Sequence, residues 1–277
     1  MSLYSDNEIA FFKQLLLDFD IRIDGRDKTQ IRKYDIEHNV INNCFSSLKM
    51  IYNNSKNEII FTIKGELVKE SLEDKNKEEN NENNLKIIVN IDSMAMTNRG
   101  PNAEEYKIIK NKMESLINKL MISKINTDSL IINKDEPKLY WKLYLDIFVF
   151  DDLRMSLFQL ISIGIKTTLL NVKVPKMIIF KNEIDDKFDY DLRKNYEDLT
   201  IEDSEEKIDF QVPNIYVFSI VNNNLYLDPS DEELIITPNN LYISEENKKI
   251  LNIESTGDSV EPILYTQIGN IIKNINS

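Results

Sequence analysis

The sequence predicts an α+β fold, because strand-like runs and amphipathic helical stretches follow one another along the chain. Residues 6–19 carry one apolar stripe at helical spacing, formed by Ile9, Phe12, Leu15, Leu16 and Phe19. Two strand-like runs, 44–52 and 58–68, are separated by an Asn-rich turn, which predicts a β-hairpin. The second half of the chain again runs from strands into a helix. These observations predict strands packed with helices.

Length and composition favour one compact domain spanning residues 1–277. A chain of 277 residues is near the upper size for a single core and can bury about 75% of its unfolded surface. Hydrophobic residues make up 42% and charged residues 29%, which is typical of a soluble globular protein. No apolar run reaches the ~20 residues of a membrane span. We therefore expect neither a membrane protein nor a disordered one.

The sequence predicts no cofactor and no metal site. Cys44 is the only cysteine, so an intrachain disulfide or a zinc ribbon cannot form. His38 is the only histidine, and in a strand-like run it is more typical of a structural or surface residue than of a catalytic base. Glycine-rich nucleotide motifs and a nucleophile elbow are also missing. A start at Met1–Asp6 without a basic and apolar leader favours an intracellular compartment.

The net charge of −13 is opposite to what a free-standing nucleic-acid binder needs. If RNA is the ligand, other chains must supply most of the positive field. The alternative is that an acidic surface keeps the protein soluble. Net charge alone does not decide between these two interpretations.

The remaining elements follow from periodicity and from polar interruptions. In the first half we expect strands at 34–41 and 85–91, a polar loop at about 69–84, and an amphipathic helix that starts at Asn102. In the second half we expect strands near 127–133, 140–150 and 174–181, a buried helix at 156–171, and an acidic insert at about 182–207. Strands at 215–221, 225–228, 234–243 and 248–254 and a closing helix between Val260 and Ile275 complete the chain.

A short motif near the start, Arg22-Ile23-Asp24-Gly25-Arg26, places two arginines around an Asp-Gly turn. Glycine tolerates positive φ and aspartate favours turns, so the local prediction is a basic turn between the first helix and the first strand.

Three further segments occur in an order and spacing that match one family. They are 140–147 (Tyr-Trp-Lys-Leu-Tyr-Leu-Asp-Ile), 162–171 followed by Val174-Pro175, and 227–233 (Leu-Asp-Pro-Ser-Asp-Glu-Glu). With the Arg-x-Asp-Gly-Arg element, they make the chain resemble the RNase PH-like subunits of the RNA exosome and their phosphorolytic relatives along most of its length. The resemblance implies an RNase PH-like fold, similar to ribosomal protein S5 domain 2. Two βαβα-type halves with mixed sheets and packed helices would then surround a pseudo-twofold axis.

The residues that phosphorolysis needs are degenerate. Active relatives carry a Gly-Gly-(Ser or Thr)-Arg loop that cradles phosphate, whereas this chain reads Phe150-Asp151-Asp152-Leu153-Arg154. Active relatives also carry two carboxylates six residues apart, and the partner position of Asp228 is Leu234. A shifted pair with Glu233, Asp231 or Glu232 stays open, as does a simple turn capped by acids. We assign no catalytic residue.

Two arginines are candidates for RNA contact. Arg99 stands at a helix entrance where family members contact the RNA strand, and Arg154 remains from the phosphate loop. For Arg99, a solvent-exposed side chain without a partner is an equal alternative. Aromatic residues at alternating strand positions, Tyr216, Phe218, Tyr226 and Tyr242, could form a base-stacking platform, but such residues are far more often part of a core.

The resemblance implies a non-catalytic structural subunit of the hexameric exosome ring, supporting 3′-to-5′ RNA processing and degradation. Implied partners are other RNase PH-like subunits, cap proteins, associated nucleases and single-stranded RNA in the channel. The implied location is the nucleus, including the nucleolus, and the cytoplasm. The alternative is an active phosphate-dependent 3′-to-5′ exoribonuclease. A third possibility is an unrelated α+β interaction protein.

Overall fold

A computed structural model describes residues 4–53, 56–70, 86–94, 103–133, 138–181, 188–192, 205–237, 239–257 and 261–275. The helices in these ranges are α1 (Asp6–Asp18), α2 (Ala103–Leu120), α3 (Phe158–Leu169), α4 (Asp231–Ile236) and α5 (Pro262–Ile275). The strands of the first half are β1 (Tyr34–His38), β2 (Ser46–Tyr52), β3 (Asn57–Glu70), β4 (Ile87–Ser93), β5 (Ile131–Asn133) and β6 (Lys138–Val149). Those of the second half are β7 (Lys173–Pro175), β8 (Met177–Lys181), β9 (Phe188–Leu192), β10 (Glu205–Lys207), β11 (Asn214–Val221), β12 (Asn224–Leu227), β13 (Asn240–Glu246) and β14 (Lys249–Thr256).

The first sheet is mixed and has the strand order β1-β2-β3-β6-β4, with β5 also paired to β6. Strands β2 and β3 form the predicted hairpin, in which Tyr52 pairs with Asn57. Asn53, at the turn, has a φ of 55°, a left-handed conformation that asparagine tolerates better than most residues. Strand β4 pairs with β6 in parallel, because α2 crosses over between them.

The second sheet, β12-β11-β13-β14, is antiparallel and lies between two helices. Alternation along β11 explains this position, since Ile215 and Val217 join the core around α3, whereas Tyr216 and Phe218 pack with Leu264 and other residues of α5. All four aromatic residues considered as a stacking platform are buried, namely Tyr216, Phe218, Tyr226 and Tyr242. They are core residues and offer no surface to a base.

Helix α3 occupies the centre of the molecule and contacts β2, β3 and β11. Its apolar residues other than Ile163 are buried, and they lie on more than one face of the helix. The buried amide of Gln159 donates to the carbonyl of Ile215 at 2.8 Å and accepts from the N–H of Val217 at 2.8 Å. The helix is thereby fixed to the second sheet by polar contacts as well as by packing.

Three predicted strands differ from the observed elements. Residues 234–243 do not form one strand, because α4 occupies Asp231–Ile236 and β13 begins only at Asn240. Within 127–133 a short 3-10 turn precedes β5. Residues 174–181 are divided into β7 and β8, which pair with different partners. In each case the predicted strand covers two separate elements, because a short apolar run alone does not show where one element ends and the next begins.

The other predicted segments have varied outcomes. The N-terminal helix is confirmed as α1. Residues 69 and 70 of the predicted polar loop belong to β3, and 71–84 lie outside the described residues. The acidic insert contributes β9 and β10, and 182–187 and 193–204 also lie outside the described residues. Among the described strands, only those of the first sheet include a parallel pair, so the described parts of the two halves differ in strand direction. The pseudo-twofold axis remains a prediction.

No described helix is long and apolar enough to cross a membrane. His38 is exposed at the end of β1, and Cys44 is a free, partly exposed thiol.

Candidate functional site: a charged cleft beside the N-terminal turn

A cleft of about 580 Å³ lies where the N-terminal turn meets the β2–β3 hairpin, the loop after β6 and the start of α4. Eight of its lining residues are charged, namely Asp24, Arg26, Arg32, Lys33, Asp151, Asp152, Arg154 and Asp231. The fold therefore brings together the Arg-x-Asp-Gly-Arg turn, the loop at 150–154 and the Asp-Pro-Ser turn, which are far apart in sequence.

Arg22 is an interior residue of the predicted turn, and its burial was not evident from the local sequence. It is 3% exposed, and its guanidinium binds Glu233 through two hydrogen bonds. Nε donates to Oε1 at 2.7 Å and Nη2 donates to Oε2 at 2.8 Å. Further N–H groups donate to the carbonyls of Leu227 and Asp228. Because a buried guanidinium is stable only when it is paired, Arg22 fixes the N-terminal segment to α4.

Asp228 is completely buried, and its carboxylate is bound by two arginines. Arg26 Nη1 donates to Oδ2 at 2.9 Å, and Arg32 Nη2 donates to Oδ1 at 2.7 Å. The backbone N–H of Arg32 also donates to Oδ2 at 2.8 Å. Burial disfavours the charge of Arg32, but the Asp228 carboxylate outweighs burial and raises the pKa of Arg32. Asp228 therefore joins the N-terminal segment, through Arg26 and Arg32, to the second half of the chain.

The turn after Asp228 is built by local hydrogen bonds. Asp228 itself has a φ of 52°, and Ser230 begins α4 as its N-cap. The Ser230 side chain accepts from the N–H of Glu233, while the Glu233 carboxylate accepts from the N–H of Ser230 at 2.9 Å. A shifted carboxylate pair of Asp228 and Glu233 is therefore already occupied by arginines and by the helix cap. The interpretation of this segment as a structural turn fits these contacts.

The other signature residues face the cleft. Gly25 has a φ of 71°, as the turn prediction requires. Asp24 accepts from Arg26 Nε at 2.6 Å. Burial disfavours the charge of Asp24, but Arg26 outweighs it, and the pKa of Asp24 is lowered. Arg26 consequently binds two carboxylates, those of Asp24 and Asp228.

Arg154, a candidate for RNA contact, is held between two acids. Its Nη1 donates to Asp231 Oδ2 at 2.9 Å, and its Nη2 donates to Asp152 Oδ2 at 3.0 Å. Burial disfavours the charged form, yet these two partners raise the pKa of Arg154. An anion entering the cleft would have to displace both carboxylates.

The loop after β6, residues 150–154, is anchored on both sides. The Asp151 carbonyl accepts from Ser93 Oγ at 2.8 Å, and Leu153 is fully buried. The Asp151 carboxylate accepts from the Asn57 side-chain amide and from the N–H of Asp152 at 2.8 Å. The Asn57 contact ties the loop to the end of the β2–β3 hairpin. The loop contributes the carboxylates of Asp151 and Asp152 to the cleft, whereas a phosphate site needs free backbone N–H groups.

Sequence reasoning missed three residues of this cleft. Arg32 follows Arg26 by six residues and received no role, although a third arginine close to an Arg-x-Asp-Gly-Arg element was a usable signal. Tyr52 and Asn57 come from the hairpin, and nothing in their local sequence indicates a site. Arg99 lies outside the described residues, so its RNA contact stays a prediction. Within the described ranges, no group of three or more His, Cys, Asp or Glu side chains is arranged to hold a metal ion.

Comparison with known proteins places this geometry in context. No family model matches the chain. It is 25% identical over 235 residues to the exosome complex component RRP42 of Saccharomyces cerevisiae, covering 83% of this chain and 76% of that protein.

Solved structures agree in fold. A chain of an archaeal exosome core has a TM-score of 0.63 at 18% identity, with 96% of this chain and 92% of that one covered. A chain of the Archaeoglobus fulgidus exosome with RNA bound to the active site has a TM-score of 0.62 at 20% identity, with 96% of this chain and 95% of that one covered. Rice (Oryza sativa) Rrp46 is more distant, with a TM-score of 0.50 at 12% identity, covering 90% and 92%. The chain thus has the RNase PH-like fold of exosome core subunits and is similar in sequence to exosome component RRP42.

Proposed function

We propose that this chain is a non-catalytic structural subunit of the hexameric ring of an RNA exosome, where it supports 3′-to-5′ RNA processing and degradation. Two similarities support this proposal, a relative named as an exosome complex component and a fold shared with chains of archaeal exosome cores. The observation that carries the non-catalytic part is the Arg154 side chain held between Asp152 and Asp231.

The pairing of the cleft's charged side chains supports the non-catalytic part of the proposal. Phosphorolysis requires preorganised donors for inorganic phosphate and an acidic group near the scissile bond. Here Arg26 and Arg32 are bound to the buried Asp228, and Arg154 is bound to two acids. The carboxylates of Asp151 and Asp152 add negative charge where phosphate would enter. The cleft therefore opposes a phosphate ion.

The proposed partners are other RNase PH-like subunits in a hetero-hexameric ring, cap proteins and associated nucleases. Single-stranded RNA would pass through the assembled channel. Since the chain carries a net charge of −13, its neighbours would supply most of the positive field that RNA requires. We propose the nucleus, including the nucleolus, and the cytoplasm as its location.

The first test of the assembly is a tagged pull-down from native extract, followed by intact-complex mass spectrometry. We expect five other RNase PH-like chains in a defined particle. Recovery of the chain alone or as a homo-oligomer would contradict the ring assignment. A stable monomer would favour an unrelated interaction protein.

An active phosphate-dependent exoribonuclease is the second candidate, because three arginines line one cleft. Purified chain and purified ring, incubated with RNA and inorganic phosphate, discriminate between the two. We expect no nucleoside diphosphate. If it appears, loss of the product in Arg154→Gln would establish activity of this cleft. Asp228→Ala is a poor test, because Asp228 is buried beneath two arginines and its removal would disturb folding.

A further inference from the structure

The cleft contains one carboxylate, that of Asp151, for which the described residues provide no cation. Asp151 accepts two hydrogen bonds from neutral amides, those of Asn57 and of the Asp152 backbone. Within the described ranges no Lys or Arg lies at ion-pair distance from it, although the acids Asp24, Asp152, Asp228 and Asp231 each have an arginine. A carboxylate in a partly enclosed cleft that lacks a cation favours the arrival of one.

Two of the cations in the cleft are shared with a buried acid. The lining has four carboxylates, Asp24, Asp151, Asp152 and Asp231, and four cations, Arg26, Arg32, Lys33 and Arg154. Arg26 and Arg32 are also bound to Asp228, which is buried beneath the lining. The net charge of the whole chain is −13. A cationic ligand is therefore favoured both locally and by the field of the protein.

A second observation is independent of charge. Tyr52 also lines the cleft and is 5% exposed, and among the described residues its hydroxyl has no hydrogen-bond partner. Burial raises the pKa of Tyr52 to about 12, and the nearby Asn57 amide only partly opposes that rise. Since buried hydroxyls are normally hydrogen-bonded, this one indicates a missing partner.

The chemistry of that partner is restricted by the geometry. The described acids do not converge as metal ligands, which favours a cation that binds through N–H groups over a bare metal ion. A cleft of about 580 Å³ is large enough for a small organic ligand or a long side chain. We propose that the cleft binds an organic cation, with a guanidinium or ammonium group paired to Asp151 and donating a hydrogen bond to the Tyr52 hydroxyl.

The same chemistry has two sources, a basic side chain of a neighbouring protein chain and a free polyamine. Isothermal titration calorimetry of the full-length chain tests both, with N-acetyl-arginine methylamide and spermidine as probes and inorganic phosphate for comparison. We expect saturable binding of at least one cation and none of phosphate. Tighter binding of the arginine probe assigns the site to a protein side chain, and tighter binding of spermidine assigns it to a polyamine.

Three variants make the test specific. Asp151→Asn should weaken cation binding at least about tenfold, because a charged hydrogen bond becomes a neutral one. Tyr52→Phe removes only a hydroxyl that has no partner, so it should fold normally and bind several-fold more weakly. Asp35→Asn, on the exposed side of β1, is the matched control and should bind as the unmodified chain does.

Absence of saturable cation binding would overturn the proposal, as would binding of phosphate instead of a cation. The proposal would also be wrong if Asp151→Asn and Tyr52→Phe both bound the cation as tightly as the unmodified chain does. The proposal goes beyond the ring function and does not depend on it. Release of nucleoside diphosphate would refute catalytic silence, whereas the cation site is decided by calorimetry on a chain without RNA.

Discussion

Arg22, Arg26 and Arg32 are anchors between the N-terminal segment and the second half of the chain. Their guanidinium groups reach Glu233 and Asp228, and the Arg22–Glu233 pair is almost completely buried on both sides. The planar fork of arginine suits such bidentate contacts better than lysine would. At these positions basic residues therefore indicate internal pairing and not RNA binding.

Removing one partner of the buried pair should be costly. We expect Arg22→Met to lower the free energy of unfolding by about 3–5 kcal/mol, because it leaves the Glu233 carboxylate buried without a cation. The measurement is urea denaturation of the unmodified protein and of the Arg22→Met variant. The double variant with Glu233→Gln should recover part of the loss.

A surface pair provides the control for that experiment. Lys119 and Glu254 are joined at 2.6 Å, but their side chains are 58% and 26% exposed. Lys119→Met should change the free energy of unfolding by less than about 1 kcal/mol. If Arg22→Met cost no more than Lys119→Met, the anchoring role of Arg22 would be wrong.

Paired carboxylates make stability depend on pH. Burial opposes the charged forms of Asp24 and Glu232, but Arg26 lowers the pKa of Asp24, and hydrogen bonds from Ser230 and Tyr4 lower that of Glu232. The unfolded chain then binds more protons, so these groups stabilise the fold at neutral pH. That contribution should be lost as the pH falls through their lowered folded values.

Urea denaturation at a series of pH values between neutral and acid checks this expectation. The free energy of unfolding should decrease towards acid, and Asp24→Asn should show a shallower decrease because one such carboxylate is missing. An identical pH dependence in Asp24→Asn would show that Asp24 does not contribute.

At the scale of elements, two helical glycines have opposite environments. Gly164 in α3 lies against Phe61 of β3, and an added Cβ would come within 2.1 Å of the Phe61 Cζ atom. Gly269 in α5 has no atom within 4 Å of the same position. The close approach of α3 to the first sheet thus requires glycine at position 164. The packing of α5 places no such requirement on position 269.

The two glycines form a matched pair for mutation. Gly164→Ala should destabilise the protein by about 1–3 kcal/mol through overpacking. Gly269→Ala should stabilise it by up to about 1 kcal/mol, because alanine has the higher helix propensity. Thermal denaturation measures both. Equal effects of the two changes would contradict the close packing of α3 on β3.

Helix α4 shows where sequence patterns at this scale are ambiguous. Leu234, Ile235 and Ile236 form a short apolar run that fits a strand, and a strand was predicted. The capping box of Ser230 and Glu233 starts a helix instead, and Arg22 holds Glu233 in place. A short apolar run does not distinguish the two elements, so a contact with a distant residue contributes to the outcome.

At the scale of the whole molecule, net charge limits what the isolated chain can bind. With a charge of −13 it should bind single-stranded RNA weakly at physiological salt. Fluorescence anisotropy with a labelled RNA is the measurement. Tight binding by the isolated chain would show that it has an RNA surface of its own and would contradict the need for basic neighbours.

Arg99 provides a test in the assembled ring. If Arg99 touches RNA phosphate in the channel, Arg99→Glu should weaken RNA binding. The slope of log affinity against log salt concentration should also become shallower by about one. Lys13→Glu, on the exposed part of α1, is the control and should have less effect. Unchanged RNA binding by the Arg99→Glu ring at several salt concentrations would refute the contact.

The sequence by itself determined the elements with strong local patterns. Helices α1, α2 and α5 and the β2–β3 hairpin follow from periodicity, although in α1 only Leu16 of the apolar stripe is buried and Phe19 is exposed. Only the tertiary structure decided the partners of the charged residues. Arg22 and Glu233 are 211 residues apart, and Asp228 meets Arg26 and Arg32 through the path of the chain. Periodicity identifies a buried face but not what covers it, so the balance of charge in the cleft required the fold.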